Sequence, residues 1–208
     1  MYIAAAFKET RPEVLFELIE QYPLGTLMTQ GQGELDAIHI PFEVVSQQQG
    51  ETRLRGHIAR ANPLWQQVEQ DADVLVVFHG GDAYISPNWY PSKQHTHRQV
   101  PTWNYRVVHA RGKIAFHHDA QFLREILAGL THQHEASQAN PWKMTDSPDD
   151  FINSMLKGVV GIEIIIKDII GAFKLGQNKP AEDLQGAGEN LLKTGNETVG
   201  KAMLRHLK

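Results

Sequence analysis

The stretch Phe78–Gly112, FHGGDAYISPNWYPSKQHTHRQVPTWNYRVVHARG, holds two of the four tryptophans, three of the five tyrosines and four of the eleven histidines of the chain. Pro87, Pro91 and Pro101 stiffen its middle. Its flanks read as strands. Val74–Phe78 is a continuous apolar run, Gly80-Gly81-Asp82 turns it into Ala83–Ser86, and Thr102–Phe116 reads as one long strand interrupted or bulged near Gly112. Tyr and Trp bury much area but carry a polar end that needs a partner. Crowding them with His, Asn, Arg and Ser in a turn-rich stretch suits a ligand wall. Strands are rich in aromatics anyway, so composition leaves both readings open.

Working outward, Arg11–Tyr22 carries Val14, Leu15, Leu18 and Ile19 at helical spacing behind Pro12, and Pro23 stops it. Gly25–Thr29 and Leu35–Val45 read as strands joined by a hairpin turn at Gln30-Gly31-Gln32-Gly33, and Thr52–Ile58 as a third. Asn62 suits an N-cap and Pro63 the first position of a short helix through Leu64, Trp65 and Val68. Beyond the aromatic stretch, Asp119 caps a helix with Phe122, Leu123, Ile126, Leu127 and Leu130 on one face. A short helix over about Pro148–Leu156 follows. Val159–Phe173 is a strand with a break at Gly171, and two short helices separated by Gly195-Asn196 close the chain.

Alternating βαβ units are missing, which disfavours a doubly wound parallel sheet. The order predicts a mainly β protein with flanking helices (α+β), its strands mostly antiparallel and numerous enough to close a small barrel. One domain over residues 1–208 is expected, with a short helical tail from about 180.

Hydrophobic content of 41% with 21% charged residues is ordinary for a soluble globular protein. No stretch approaches the ~20 apolar residues of a membrane span, and the N-terminus has no signal-peptide pattern. With no cysteine in the chain, disulfides, thiolate metal sites and a Cys nucleophile are excluded. A cytoplasmic location is expected. The net charge of −4 does not support nucleic-acid binding, which leaves a basic footprint. DNA stays a possible partner through the small basic tail Lys201, Arg205, His206 and Lys208, which reads equally as a solvated helix end.

Phosphate-loop, nucleophile-elbow and dinucleotide fingerprints are absent. The histidine groups His95-Thr96-His97, His117-His118 and His132–Glu135 lack further ligands at fixed spacing, so no metal site is expected. Between Leu54 and Pro63, His57 and Arg60 precede a helix start at Asn62. A planar guanidinium beside free helical N–H groups suits a monophosphate. A surface Arg with an ordinary N-cap explains the same residues. Lys174-Leu175-Gly176-Gln177-Asn178-Lys179, at the end of the last strand, offers donors for a flat heterocycle or forms a plain polar turn.

Taken together, GHIARANPLW (56–65), VLVVFHGGDAYISPNWY (74–90), VPTWNYRVVHARG (100–112) and KLGQN (174–178) resemble the FMN-binding negative transcriptional regulator family of the PaiB type. HIPF (39–42), LAGLTHQHE (127–135) and VVGIEIIIKDIIG (159–171) extend the resemblance from the N-terminus to about Leu192. One departure is Gly176, where the family pattern KLSQN has serine. The resemblance implies an FMN-binding split β-barrel, like that of pyridoxamine-phosphate oxidases, with FMN in the groove of a homodimer. It also implies cofactor-binding roles. His57, Arg60 and Asn62 would hold the phosphate, and His39 and Pro41 would lie beside the isoalloxazine ring. Trp89, Thr102, Trp103 and Asn104 would shape the pocket, and Lys174, Gln177 and Asn178 would approach the ring or ribityl chain. Function divides between a PaiB-like regulator, a flavin-dependent oxidoreductase acting on a small molecule, and a haem-binding or haem-degrading protein of the same fold. No catalytic residue is assigned.

Overall fold

The computed structural model describes residues 1–46 and 50–207. Its strands are β1 (Lys8–Glu9), β2 (Leu24–Gly31), β3 (Glu34–Pro41), β4 (Glu43–Ser46), β5 (Thr52–Ala59), β6 (Asp73–Ile85), β7 (Thr102–His117) and β8 (Val159–Lys174). The α-helices are α1 (Pro12–Gln21), α2 (Leu64–Gln67), α3 (Lys93–Thr96), α4 (Ala120–Glu135), α5 (Asp149–Lys157), α6 (Ala181–Lys193) and α7 (Glu197–Leu204). Among the described residues the strands form one eight-stranded sheet in the order β3-β2-β6-β7-β8-β5-β4, with β1 added beside β8. The pairs β1–β8, β2–β3, β2–β6, β4–β5 and β5–β8 run antiparallel. The expected mainly β, antiparallel fold with flanking helices is therefore present.

A single strand over Leu35–Val45 is not. The ladder breaks at Phe42, and its two halves pair with different partners: β3 with β2, β4 with β5. One residue thus joins the first and last strands of the sheet order, so the sheet has to curl on itself. Phe42 drives the bend because its side chain is wholly buried, edge-on to Phe78 at 5.9 Å. Its N–H donates to Pro23 O at 2.9 Å, outside the ladder. The seam is tight, since a Cβ on Gly56 of β5 would lie 2.8 Å from Pro41 O.

Glycines at three places expected to turn or interrupt strands do not do so. β6 runs through Gly80-Gly81-Asp82, β7 through Gly112 and β8 through Gly171 without leaving the strand. Gly81 absorbs the change of direction within the strand at φ +94°. At Gly112 a Cβ would collide with Ile165 O of the neighbouring strand, and at Gly171 it would meet Leu15 Cδ2 at 2.6 Å. These two glycines permit close packing; they do not end strands. At Gln32-Gly33 the expected hairpin turn is present, with φ of +50° and +87°.

The chain divides into two compact units. One comprises Met1–Leu18, His79–Val108 and Ile170–Lys208, the other Ile19–Phe78 and His109–Ile169. In the second, Leu27, Phe42, Leu54, Phe78, Ile114 and Ile162 are each buried almost completely. Helix α4 starts where expected, with Asp119 Oδ1 accepting from Phe122 N at 2.9 Å. Its Leu123 packs with Ile152 and Leu156 of α5. In the first unit, α6 and α7 pack through small residues: a Cβ on Gly200 would lie 3.0 Å from Gly188 O. Asn196 Oδ1 caps α7 through Val199 N at 3.3 Å.

Candidate functional site

In the unit Ile19–Phe78 with His109–Ile169, Arg60 follows the last residue of β5. Its backbone is fixed on both sides: the N–H donates to Gly158 O at 2.7 Å, and the carbonyl accepts from Trp65 Nε1 at 3.0 Å. The guanidinium is partly spent. Nε donates to Lys157 O at 2.7 Å, Nη2 to Val159 O at 2.8 Å, and Nη1 lies 3.1 Å from His118 Nδ1. Of the five N–H groups of an arginine, three are used here and two remain. The residue borders a cavity of about 440 Å³ lined by Arg60, His118, Ala120, Leu123, Asn153, Leu156 and Lys157. Three of those side chains are cationic or can become so, and none is acidic. A phosphate fits this donor set.

The residues expected beside Arg60 behave differently. Asn62 Oδ1 accepts from Leu64 N at 3.0 Å and closes the turn before α2, which begins at Leu64, after Pro63. The expected cap is not found: the helix's N-cap is Pro63, with no side-chain cap bond, and Asn62 stands one residue outside it. His57 lies two residues before the end of β5, half-buried, and its Nδ1 has no hydrogen-bond partner among the described residues. Burial pushes its pKa below 6.5. It shares a strand face with Arg53 and Arg55, whose guanidiniums grip the buried Glu163 at 2.5 and 2.7 Å. That face is covered at Phe122 of α4, over which Arg55 stacks at 5.1 Å.

His39 and Pro41 sit on β3, opposite Thr26 and Leu24 of β2. Alternation places them on the outward face of this hairpin with Met28 and Leu35. Leu24 is 61%, Met28 41% and Leu35 84% exposed, an unusual concentration of apolar surface.

The remaining site candidates belong to the unit containing His79–Val108. Lys174 Nζ donates to Thr102 Oγ1. Burial, and then the nearby Lys179 charge, pull the Lys174 pKa below its usual value. Gln177 is committed to its own turn, accepting from Leu175 N at 2.8 Å and donating to Phe173 O. Gly176 occupies that turn at φ +84°. Asn104 is buried and donates to Met203 Sδ at 3.3 Å. Trp103, one residue earlier on β7, faces the other way, 55% exposed and edge-on to Tyr84 at 6.2 Å. Thr102 and Asn104 therefore share one strand face and Trp103 the opposite one. Trp89 is half-buried against α6, its carbonyl 2.4 Å from where a Gly186 Cβ would stand, and Asn178 is exposed.

Sequence reasoning missed the clamp that ties the proline-bearing loop to α6. Asp183, fully buried, accepts from Ser92 N at 2.9 Å, Ser92 Oγ at 2.7 Å and Gln99 Nε2 at 3.1 Å. Lys179 donates to Gln99 Oε1 at 2.7 Å and stacks over Tyr90 at 5.0 Å. It also missed His118, Asn153 and Lys157 around Arg60. The predicted helix start at Asp119 was the available signal for His118. Among the described residues no group of three His, Asp or Glu side chains could hold a metal ion, and no helix is long and apolar enough to cross a membrane. Lys208 of the basic tail lies outside the described residues.

Residues 1–168 match the family described as "Putative FMN-binding domain". The chain belongs to this family. FMN is the cofactor that the family's description assigns, and the donor set around Arg60 suits its phosphate. Among curated relatives of the FMN-binding family member, the Protease synthase and sporulation protein PAI 2 of Bacillus subtilis is 35% identical over 191 residues, covering 92% of this chain and 89% of its own. Solved structures share the fold at low identity. The conserved hypothetical protein Rv2991 from Mycobacterium tuberculosis superposes with TM-score 0.60 at 14% identity, over 86% of this chain and 94% of its own. The FAD and heme binding protein from Mycobacterium smegmatis does so with TM-score 0.57 at 16% identity, over 80% and 73%. The family membership and split-barrel fold expected from the sequence are thus found.

Proposed function

We propose that this chain is a cytoplasmic, homodimeric FMN-binding protein of the PaiB type whose regulatory effect runs through its flavin and not through direct reading of DNA. The observation that carries flavin binding is Arg60, which keeps two unspent N–H groups and borders an acid-free cavity with His118 and Lys157. His39, Pro41, Trp89, Thr102, Trp103, Lys174 and Asn178 are proposed as further cofactor contacts. His57, Asn62, Asn104 and Gln177 are proposed to shape the site from beneath, since His57 is half-buried, Asn104 is buried against Met203, and Asn62 and Gln177 are committed to local bonds.

The outward face of the β2–β3 hairpin, with Leu24, Met28 and Leu35 beside His39 and Pro41, supports a second copy as the partner that covers it. A regulatory role rests on the likeness to a sporulation protein. Indirect action rests on charge. Helices α6 and α7 are joined by a three-residue turn, Thr194–Asn196, as in many DNA-binding motifs. Yet Val199, Ala202 and Met203 of α7 are buried, and its exposed Lys201 is paired with Glu197 at 2.5 Å. Such a face offers phosphates little net charge.

The test joins three measurements on purified protein: FMN titration, mass in solution, and a gel shift on candidate promoter DNA, with transcript levels in a deletion strain. Flavin binding, a dimer, no shift and altered transcripts are expected. Steady turnover of reduced nicotinamide with unaltered transcripts would replace regulation by the oxidoreductase reading.

A further inference from the structure

The helical stretch Leu127–Glu135 takes no part in the cavity beside Arg60. Ala128, Thr131, His132 and Glu135 recur along it at the spacing of one helix face, while Leu123, Ile126 and Leu130 of the same helix are buried. The chain after α4 folds back over that face. Gln138 N donates to Glu135 O, and Trp142 N to Glu135 Oε2, both at 2.9 Å. Lys143 N donates to Asp146 Oδ2, and Asp146 N to Lys143 O, again at 2.9 Å. Met144 packs against the buried cluster of Leu123, Ile152 and Leu156. Helix and returning chain together line a separate cavity of about 290 Å³, at the lower end of ligand-pocket size. Its walls are therefore set by backbone and core contacts before any ligand arrives.

Three groups on this cavity lack a partner among the described residues. Glu135 keeps Oε1, Lys143 keeps its ammonium, and Trp142, 41% exposed, keeps its indole N–H and both ring faces. Two opposite charges thus stand on one cavity without pairing with each other. A simple cation would be repelled there by Lys143, and a simple anion by Glu135. A small molecule that carries both charges satisfies both walls. Pro141, Trp142 and Met144 add apolar surface for the rest of it. We propose that this cavity binds a free α-amino acid with an apolar side chain. Glu135 Oε1 accepts from its ammonium, Lys143 Nζ donates to its carboxylate, and the side chain lies against Trp142. His132, the remaining titratable group on the wall, can serve either end of the ligand. The cavity shares no lining residue with the one beside Arg60, so the proposal does not depend on flavin binding.

The test titrates L-leucine, L-methionine and L-phenylalanine into the full chain, followed by calorimetry and ligand-observed NMR. The tightest of the three is then compared with its decarboxylated amine and its deaminated acid. At least one amino acid should bind, and each analogue, missing one charge, should bind about tenfold more weakly. This comparison uses wild type, so it stands whatever a variant does to the fold. Glu135→Gln keeps an acceptor for Trp142 N and removes the charge, while Lys143→Met removes the ammonium at an exposed position. Each variant should weaken the amino acid by about tenfold. In Glu135→Gln the amino acid should lose its advantage over the deaminated acid, and in Lys143→Met its advantage over the decarboxylated amine. The proposal is overturned if none of the three amino acids binds, or if an analogue binds wild type as tightly as the amino acid. Amino-acid affinity left unchanged by either variant overturns it as well.

Discussion

Gly176 shows how one residue changes meaning between sequence and structure. Read against KLSQN it is a lost serine contact. In the fold it stands at φ +84° with Leu184, Asn104 and Met203 around it, a backbone that side chains resist. Restoring the serine, Gly176→Ser, should therefore cost about 1–2 kcal/mol in urea unfolding. An unchanged or raised midpoint would contradict this. Arg60 is the reverse case, recognisable beforehand because a guanidinium before a helix start is a known anion pattern. Its bonds to Lys157 O, Val159 O and His118 were not legible, because their partners lie 97, 99 and 58 residues away along the chain. Arg60→Ala should weaken FMN by about 1.5–3 kcal/mol, with riboflavin much less affected. Equal losses for the two flavins would assign Arg60 to the fold alone.

At the scale of elements, strand and helix types were legible where periodicity was strong, as in α1, β5, α4 and β8. Strand ends were not, and glycine was the reason. Gly112 and Gly171 read as punctuation but serve close approach, and nothing local distinguishes the two uses. Phe42 was hidden for the opposite reason. An apolar residue in an apolar run gives no sign that the ladder breaks there, and only pairing with two different strands reveals it. Because Phe42 is wholly buried at this bend, Phe42→Ala should destabilise by about 3–5 kcal/mol and broaden the unfolding transition. A loss below about 1 kcal/mol would mean that the bend is held by the seam at Gly56 and Pro41 instead. The candidate site was read as one list along the chain, whereas strand alternation puts Trp103 on one face and Thr102 with Asn104 on the other.

For the whole molecule, pH gives a test of how its histidines are buried. Burial lowers the pKa of His57 and, opposed by Glu163, that of His117 below the ordinary 6.5. A depressed histidine keeps the native state neutral. Its stability contribution is complete above about pH 6.5 and erodes as pH falls through that value towards the folded pKa. Glu9, held down to about 2 by Arg11, titrates well below this window. The melting temperature should fall between about pH 7.5 and pH 5.5, and His57→Gln should fall less. Parallel curves would show that His57 is not the group responsible.

The central claim is that the chain holds FMN by its phosphate. Titrating purified apoprotein with FMN and with riboflavin, following quenching of flavin fluorescence, tests it most directly. Saturable quenching by FMN at markedly lower concentration than riboflavin is the predicted result. Equal affinity for the two, or no quenching by FMN, would contradict it.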